Sequence, residues 1–281
     1  SLVMALVNLV LDYGLIFGNF GLPKMGIGGA ALASVIAEAS STLFFIIYIR
    51  KTVDLEKYGF KKITFRWTIV KKVLDISIYM MLQYLLSIVT WMMFFVFIEN
   101  YLGERSLAVT NIVRSLYTIV TIPSHALGST VNTMVSNTIG AGRQSEVLNL
   151  IKRVVLISLF SMLIIILIVA IAPRLMIHIY TNDLSLINDT VAPLYVLLTS
   201  LPFYAIGTVL FSSVSGTGNT QRALIYEIIT LLGYVFYTWF IIVYLRLSVS
   251  WAWTTEHVYW GQLMLFSLLY LRSKKWMNKK I

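Results

Sequence analysis

Eight runs of some twenty mostly apolar residues follow one another along the chain, at about 1–18, 26–49, 73–98, 107–136, 150–172, 190–212, 223–245 and 250–271. A helix of about twenty residues crosses the hydrocarbon core of a bilayer, and its backbone groups must find their hydrogen bonds within the helix. The expected fold class is therefore all-α: a polytopic membrane protein with about eight transmembrane helices. Successive loops then alternate between the two sides. One alternate set, with the carboxy-terminal tail, holds seventeen of the 22 basic residues, Lys61, Lys62, Lys279 and Lys280 among them. The other set holds only Lys24, Arg105, Arg174 and Arg246, and Arg114 lies inside a run. By the positive-inside rule the richer set is cytoplasmic. Both ends of the chain are then expected on the cytoplasmic side of a cell membrane.

Charged residues make up only 12% of the chain, and its net charge of +10 is juxtamembrane rather than gathered on one face. Such bases meet anionic lipid headgroups and set topology, which argues for membrane lipids as partners and against nucleic acid. Cysteine is absent, and His125, His178 and His257 lack metal-ligand spacing. No Ser-His-Asp or paired-carboxylate arrangement points to an enzyme, and no cofactor is implied. Gly140-Ala141-Gly142-Arg143 and Gly216-Thr217-Gly218-Asn219-Thr220 lack the Lys-Ser/Thr ending of a phosphate loop and read as tight helix connections. Ser1 opens directly inside an apolar run, so upstream sequence is expected before it.

The longest polar loop, residues 50–72, divides the runs unequally, two before and six after. Its end, Ile63, Phe65, Trp67, Ile69 and Val70, is amphipathic and suits a segment lying on the cytoplasmic surface. Small residues recur four apart in the second run, as Gly26, Ala30, Ser34 and as Gly29, Ala33, Ala37, which lets a neighbouring helix come close in lipid. Trp251, Trp253, Trp260 and Trp276 fall near helix ends, where tryptophan anchors at the interface.

The fourth run carries the strongest functional signal. At 100° per residue Asn111, Arg114, Thr118, His125 and Asn132 fall in one polar sector, and Ile112, Val113, Leu116 and Val120 face the other way. A polar face inside a membrane looks at protein or water, so it lines a cavity or joins an interhelical network. Arg114 needs a carboxylate or a cavity beside it, and Pro123 gives a place to bend. Glu38, Glu227 and Asp12 lie in or near apolar runs, where an ionised carboxylate is expensive. That suits a group that binds a proton or a cation, or one that pairs with Arg114. Gln83 and Tyr84 are the polar break in the third run.

Several segments together resemble the multidrug and toxic compound extrusion family, within the larger multidrug, oligosaccharidyl-lipid and polysaccharide exporter superfamily. They are Asn8 with Leu11-Asp12-Tyr13 and Ile16-Phe17-Gly18, Gly26 through Ser34, Asn132 through Arg143, and Ser215 through Thr220. The resemblance implies twelve helices in two six-helix lobes around a cleft with alternating access. On that pattern residues 1–50 are the last two helices of the first lobe, 51–72 the linker, and 73–281 a complete second lobe with a basic tail. Four helices of the first lobe would precede them. The family often carries a cation-coupling carboxylate in the first helix of the second lobe, but Gln83-Tyr84-Leu85-Leu86-Ser87-Ile88 contains no acid.

The resemblance thus implies a secondary active transporter, a monomer when full length, that exports an amphipathic or cationic small molecule against inward H+ or Na+ flow. Glu38, Gln83, Asn111, Arg114, Thr118, His125, Asn132 and Glu227 are its candidate substrate- or cation-binding residues. A flippase of lipid-linked oligosaccharide, from the same superfamily, is the alternative. It would need a basic cleft, and Arg114 is the one base inside a run.

Overall fold

A computed structural model describes residues 2–57 and 65–278. Ser1, Lys61, Lys62, Ile63, Lys279 and Lys280 lie outside the described residues. The chain divides into two compact units, residues 1–67 and 68–281.

The first unit is a helical hairpin of α1 (Leu2–Phe17) and α2 (Ile27–Thr52). The reversal needs left-handed backbone at Gly18 and Gly21, with φ of 78° and 74°. The Met25 amide then donates to the Leu15 carbonyl at 2.8 Å and fixes the start of α2. Of the two small-residue stripes, Gly29, Ala33 and Ala37 are the buried one. A Cβ on Gly29 would stand 2.6 Å from the Leu15 carbonyl oxygen, so only glycine permits this helix pair to approach so closely.

The second unit holds six long helices and two short ones: α3 (Trp67–Leu102), α4 (Glu104–Gly140), α5 (Val147–Ile171), α6 (Pro173–His178), α7 (Leu184–Gly216), α8 (Thr220–Trp239), α9 (Val249–Ala252) and α10 (Thr255–Arg272). α8 continues into a π-turn over Phe240–Tyr244. With α1 and α2 this makes eight long helices among the described residues, as the apolar runs require. Among the described residues five spans are long and apolar enough by themselves to cross a bilayer: Ile27–Thr52, Trp67–Leu102, Gln144–Ile171, Leu184–Gly216 and Thr220–Tyr244.

α7 is the axis of this unit. It packs against α4, α5 and α10 and is buried along most of its length. Close approach again depends on missing side chains. A Cβ on Gly128 of α4 would lie 2.8 Å from the Thr208 methyl, and one on Gly216 would lie 2.7 Å from the Asn132 carbonyl oxygen. Lipid tails are as apolar as leucine, so such tight van der Waals packing and interhelical hydrogen bonds hold the helices together. Ser158 of α5 shows the second device, with its hydroxyl 3.0 Å from both Ser124 Oγ of α4 and the Ala205 carbonyl of α7.

Several expectations change. α3 starts at Trp67, so residues 67–72 are the first turns of that helix rather than a separate surface segment. Their lysines lengthen the helix beyond the apolar core without interrupting its backbone ladder. Of the four tryptophans read as anchors, only Trp251 is exposed, at 54%. Trp253 and Trp276 are at 0% and 2%, because their large apolar rings fill the two packed cores of the unit. Trp260 lies on the wall of an internal cavity.

Candidate functional site

A cavity of about 650 Å³ opens within the second unit, walled by α3, α4, α7, α8 and α10. Helical periodicity selects the residues that reach it. α3 contributes Gln83, Ser87 and Trp91 at intervals of four, and α4 contributes Thr118, Thr121, His125 and Asn132 at intervals of three, four and seven. α8 supplies Glu227 and Tyr234, seven apart, and α10 supplies Glu256, Tyr259, Trp260 and Leu263. Each set is one stripe of its helix.

Two carboxylates face this space, and both are buried. Glu227 is 2% exposed; its Oε1 lies 2.5 Å from Ser87 Oγ of α3 and 2.7 Å from the Tyr259 hydroxyl of α10. Its Oε2 is buried without a hydrogen-bond partner among the described residues. Glu256 is 5% exposed, and its Oε2 accepts from the Tyr117 hydroxyl at 2.9 Å and the Trp260 indole N–H at 3.1 Å. That indole N–H also points at the Tyr117 oxygen, at 3.0 Å. The acids sit among packed rings. Tyr204 and Trp260 meet edge to face with centroids 4.5 Å apart, and Tyr259 and Trp260 at 4.8 Å. Among the described residues no Lys or Arg lines the cavity. Uncompensated carboxylates in an apolar site are costly, so this wall favours positive charge, whether a proton, an ion or an organic cation. Among the described residues no group of three His, Cys, Asp or Glu side chains could hold a metal ion.

Five of the eight sequence-derived candidates, Gln83, Thr118, His125, Asn132 and Glu227, meet on this wall. Asn111 and Arg114 do not line it. The Arg114 guanidinium lies 6.0 Å from the Trp91 ring centroid and 5.3 Å from that of Phe95, a cation–π arrangement. It has no ion-pair partner among the described residues, and Glu227 is engaged by Ser87 and Tyr259 instead. Glu38 belongs to α2 in the first unit, where its carbonyl accepts from Thr42 Oγ1 at 3.0 Å.

Sequence reasoning missed Glu256 and the tyrosines that surround it. The usable signal was an acid at the start of an apolar run, followed on the same helical face by Tyr259, Trp260 and Leu263.

The sequence profile of the MatE family matches residues 76–247, more than half of the chain. The chain belongs to the MATE family. The "Probable multidrug resistance protein NorM" of Thermotoga maritima is 25% identical over 282 residues, which cover 98% of this chain and 59% of that protein. A shorter match, 40% identical over 58 residues, joins 21% of the chain to 12% of the protein of the same name from Agrobacterium fabrum. Among solved structures, an outward-facing multidrug resistance MATE transporter of the MOP superfamily superposes with a TM-score of 0.85 at 16% identity, covering 97% of this chain and 60% of its own. The MATE transporter ClbM in complex with Rb+ does so with a TM-score of 0.75 at 19% identity, covering 99% and 61%. The chain thus spans about three-fifths of the length of these relatives. MATE proteins are multi-pass membrane transporters rather than enzymes, and the MATE fold is what the second unit and the hairpin share with them.

Proposed function

We propose that this chain works within a secondary active transporter that exports amphipathic organic cations in exchange for H+ or Na+. The observation that carries this reading is the cavity itself: two buried carboxylates on an aromatic wall that bears no Lys or Arg. Aromatic faces attract a desolvated cation by about 2 kcal/mol or more each, and the acids add charge selectivity. On this reading residues 1–50 form the last two helices of the first lobe, residues 51–72 the linker, whose end from Trp67 is already the start of α3, and residues 73–281 a complete six-helix second lobe. The basic loops lie in the cytoplasm, with both ends of the chain there. An ion bound at a buried acid favours one orientation of the cleft and the organic cation the other, each in proportion to its differential affinity. The relatives called multidrug resistance proteins support the substrate class.

A lipid-linked oligosaccharide flippase would need bases for a pyrophosphate group. The cavity has none, and Arg114 is held between aromatic rings instead. The deciding experiment is ethidium movement in proteoliposomes under separately imposed proton and sodium gradients. Expected is ethidium accumulation driven by one of the two gradients and abolished by its collapse. Movement that ignores both would refute antiport.

A further inference from the structure

Resting on the antiport reading above, we propose that Arg114 sets the charge class of the substrate. It turns one end of the cavity against cations, so the site accepts organic monocations and discriminates against dications built on the same ring system. Arg114 does not line the cavity, and it acts through a ring that does. Trp91 is part of the cavity wall. Its centroid also lies 6.0 Å from the Arg114 guanidinium, with that of Phe95 at 5.3 Å. Trp91 and Phe95 stand one turn apart on α3 and meet edge to face, their centroids 5.3 Å apart. Phe95 packs against the buried core of the unit, which holds this corner of two rings in place. On α4 the cavity wall begins at Tyr117, three residues past Arg114. The guanidinium therefore stands just beyond the wall, toward the Glu104 end of α4.

The charge on this guanidinium is not cancelled where it sits. Among the described residues no carboxylate pairs with Arg114, which is half-buried. An aromatic face attracts a cation through its quadrupole but carries no net charge, so the field of the guanidinium extends past Trp91 into the cavity. Partial burial leaves that field less screened by salt than it would be at the surface.

The two acids gather at a different place. Glu227 accepts from the Tyr259 hydroxyl, and Glu256 from the Trp260 indole N–H. Tyr259 and Trp260 are consecutive residues of α10 with centroids 4.8 Å apart, so one positive charge beside this pair lies close to both acids. A second charge on the same ligand must go further along the wall. Toward Trp91 it meets a ring already engaged by a cation, with a like charge beyond it. At about 10 Å from the guanidinium, and an effective dielectric constant of about 20, that repulsion lowers affinity roughly tenfold. The neutral aromatic body of a monocation stacks on Trp91 without this penalty.

Ethidium and propidium share one phenanthridinium ring system, and propidium adds a second positive charge on a side chain. Their binding to the whole chain in nanodiscs of zwitterionic lipid, read by fluorescence polarisation, tests the proposal. Ethidium is expected to bind about tenfold more tightly than propidium. Arg114→Gln keeps most of the bulk and loses the charge, so it should bring the two within about threefold, chiefly by tightening propidium. Arg114→Lys should keep the wild-type preference. A merely structural Arg114 would shift both ligands together. Equal affinities in the wild-type chain, or a preference for ethidium that survives in Arg114→Gln, would overturn the proposal. Should that variant fail to assemble, Arg114→Ala is read in the same way. Failure of the wild-type chain to bind either ligand would instead remove the antiport reading, and the proposal with it.

Discussion

Glu256 and Glu227 sit on different helices and are held in different ways, so their substitutions should separate. Glu256 accepts two donors through one oxygen, beside the Tyr204–Trp260 pair. Glu256→Gln should weaken binding of ethidium to the protein in nanodiscs by about tenfold, on the order of 1.4 kcal/mol, with less effect on an uncharged analogue. An equal loss for both ligands would mean that the acid only shapes the cavity. Arg114→Ala should leave ethidium affinity within about twofold and lower the unfolding temperature, because its rings contribute ~0.5–2 kcal/mol of cation–π attraction. A large loss of affinity with unchanged stability would return Arg114 to the binding surface. The polar stripe was legible at this scale because 100° periodicity is a property of the sequence. The partner of Arg114 was not, because pairing depends on which neighbouring helix turns its face inward. A basic residue at membrane depth calls for a compensating group, and rings supplied it where a carboxylate or a cavity was expected.

Among the elements, what the sequence disclosed was the position of each helix, and what it concealed was their contacts. Small residues in the second run announced a close approach, and Gly29 against Leu15 shows one. Nothing local marked α7 as the axis of the second unit, since its apolar residues look the same whether they meet lipid or protein. α5 illustrates the ambiguity: its long apolar sequence is largely exposed, while Ser158 is buried in hydrogen bonds to two helices. Gly216 and Gly140 make a test. A Cβ at Gly216 would come 2.7 Å from a backbone oxygen of α4, whereas at Gly140 it would meet nothing within 4 Å. Gly216→Ala should force α4 and α7 apart and cost about 1–3 kcal/mol. Gly140→Ala should be neutral or stabilising by up to ~1 kcal/mol, through helix propensity. Thermal unfolding in nanodiscs distinguishes them, and an equal response would show that the α4–α7 approach does not limit stability.

For the whole molecule, topology is the property that charge alone proposes and that a chain without cysteine makes easy to measure. α4 runs from Glu104 to Gly140 without interruption, so a bilayer crossing places Glu104 and Arg143 on opposite sides. Both are exposed, and so is Leu184 at the start of α7. Single cysteines at 104 and 184 should react with an impermeant thiol reagent in intact cells. Cysteines at 143 and 272 should react only after the membrane is opened. The physical basis is the distribution of Lys and Arg, since seventeen of them fall in the loops assigned to the cytoplasm. Inversion of the whole pattern would leave the helix count standing and refute the orientation. Reaction at 104 and 143 from the same side would be more serious, because α4 would then not cross the membrane. The cavity with its two acids could then no longer lie within the hydrocarbon layer, and the cost of burying charge that underlies its proposed preference for cations would lose its force.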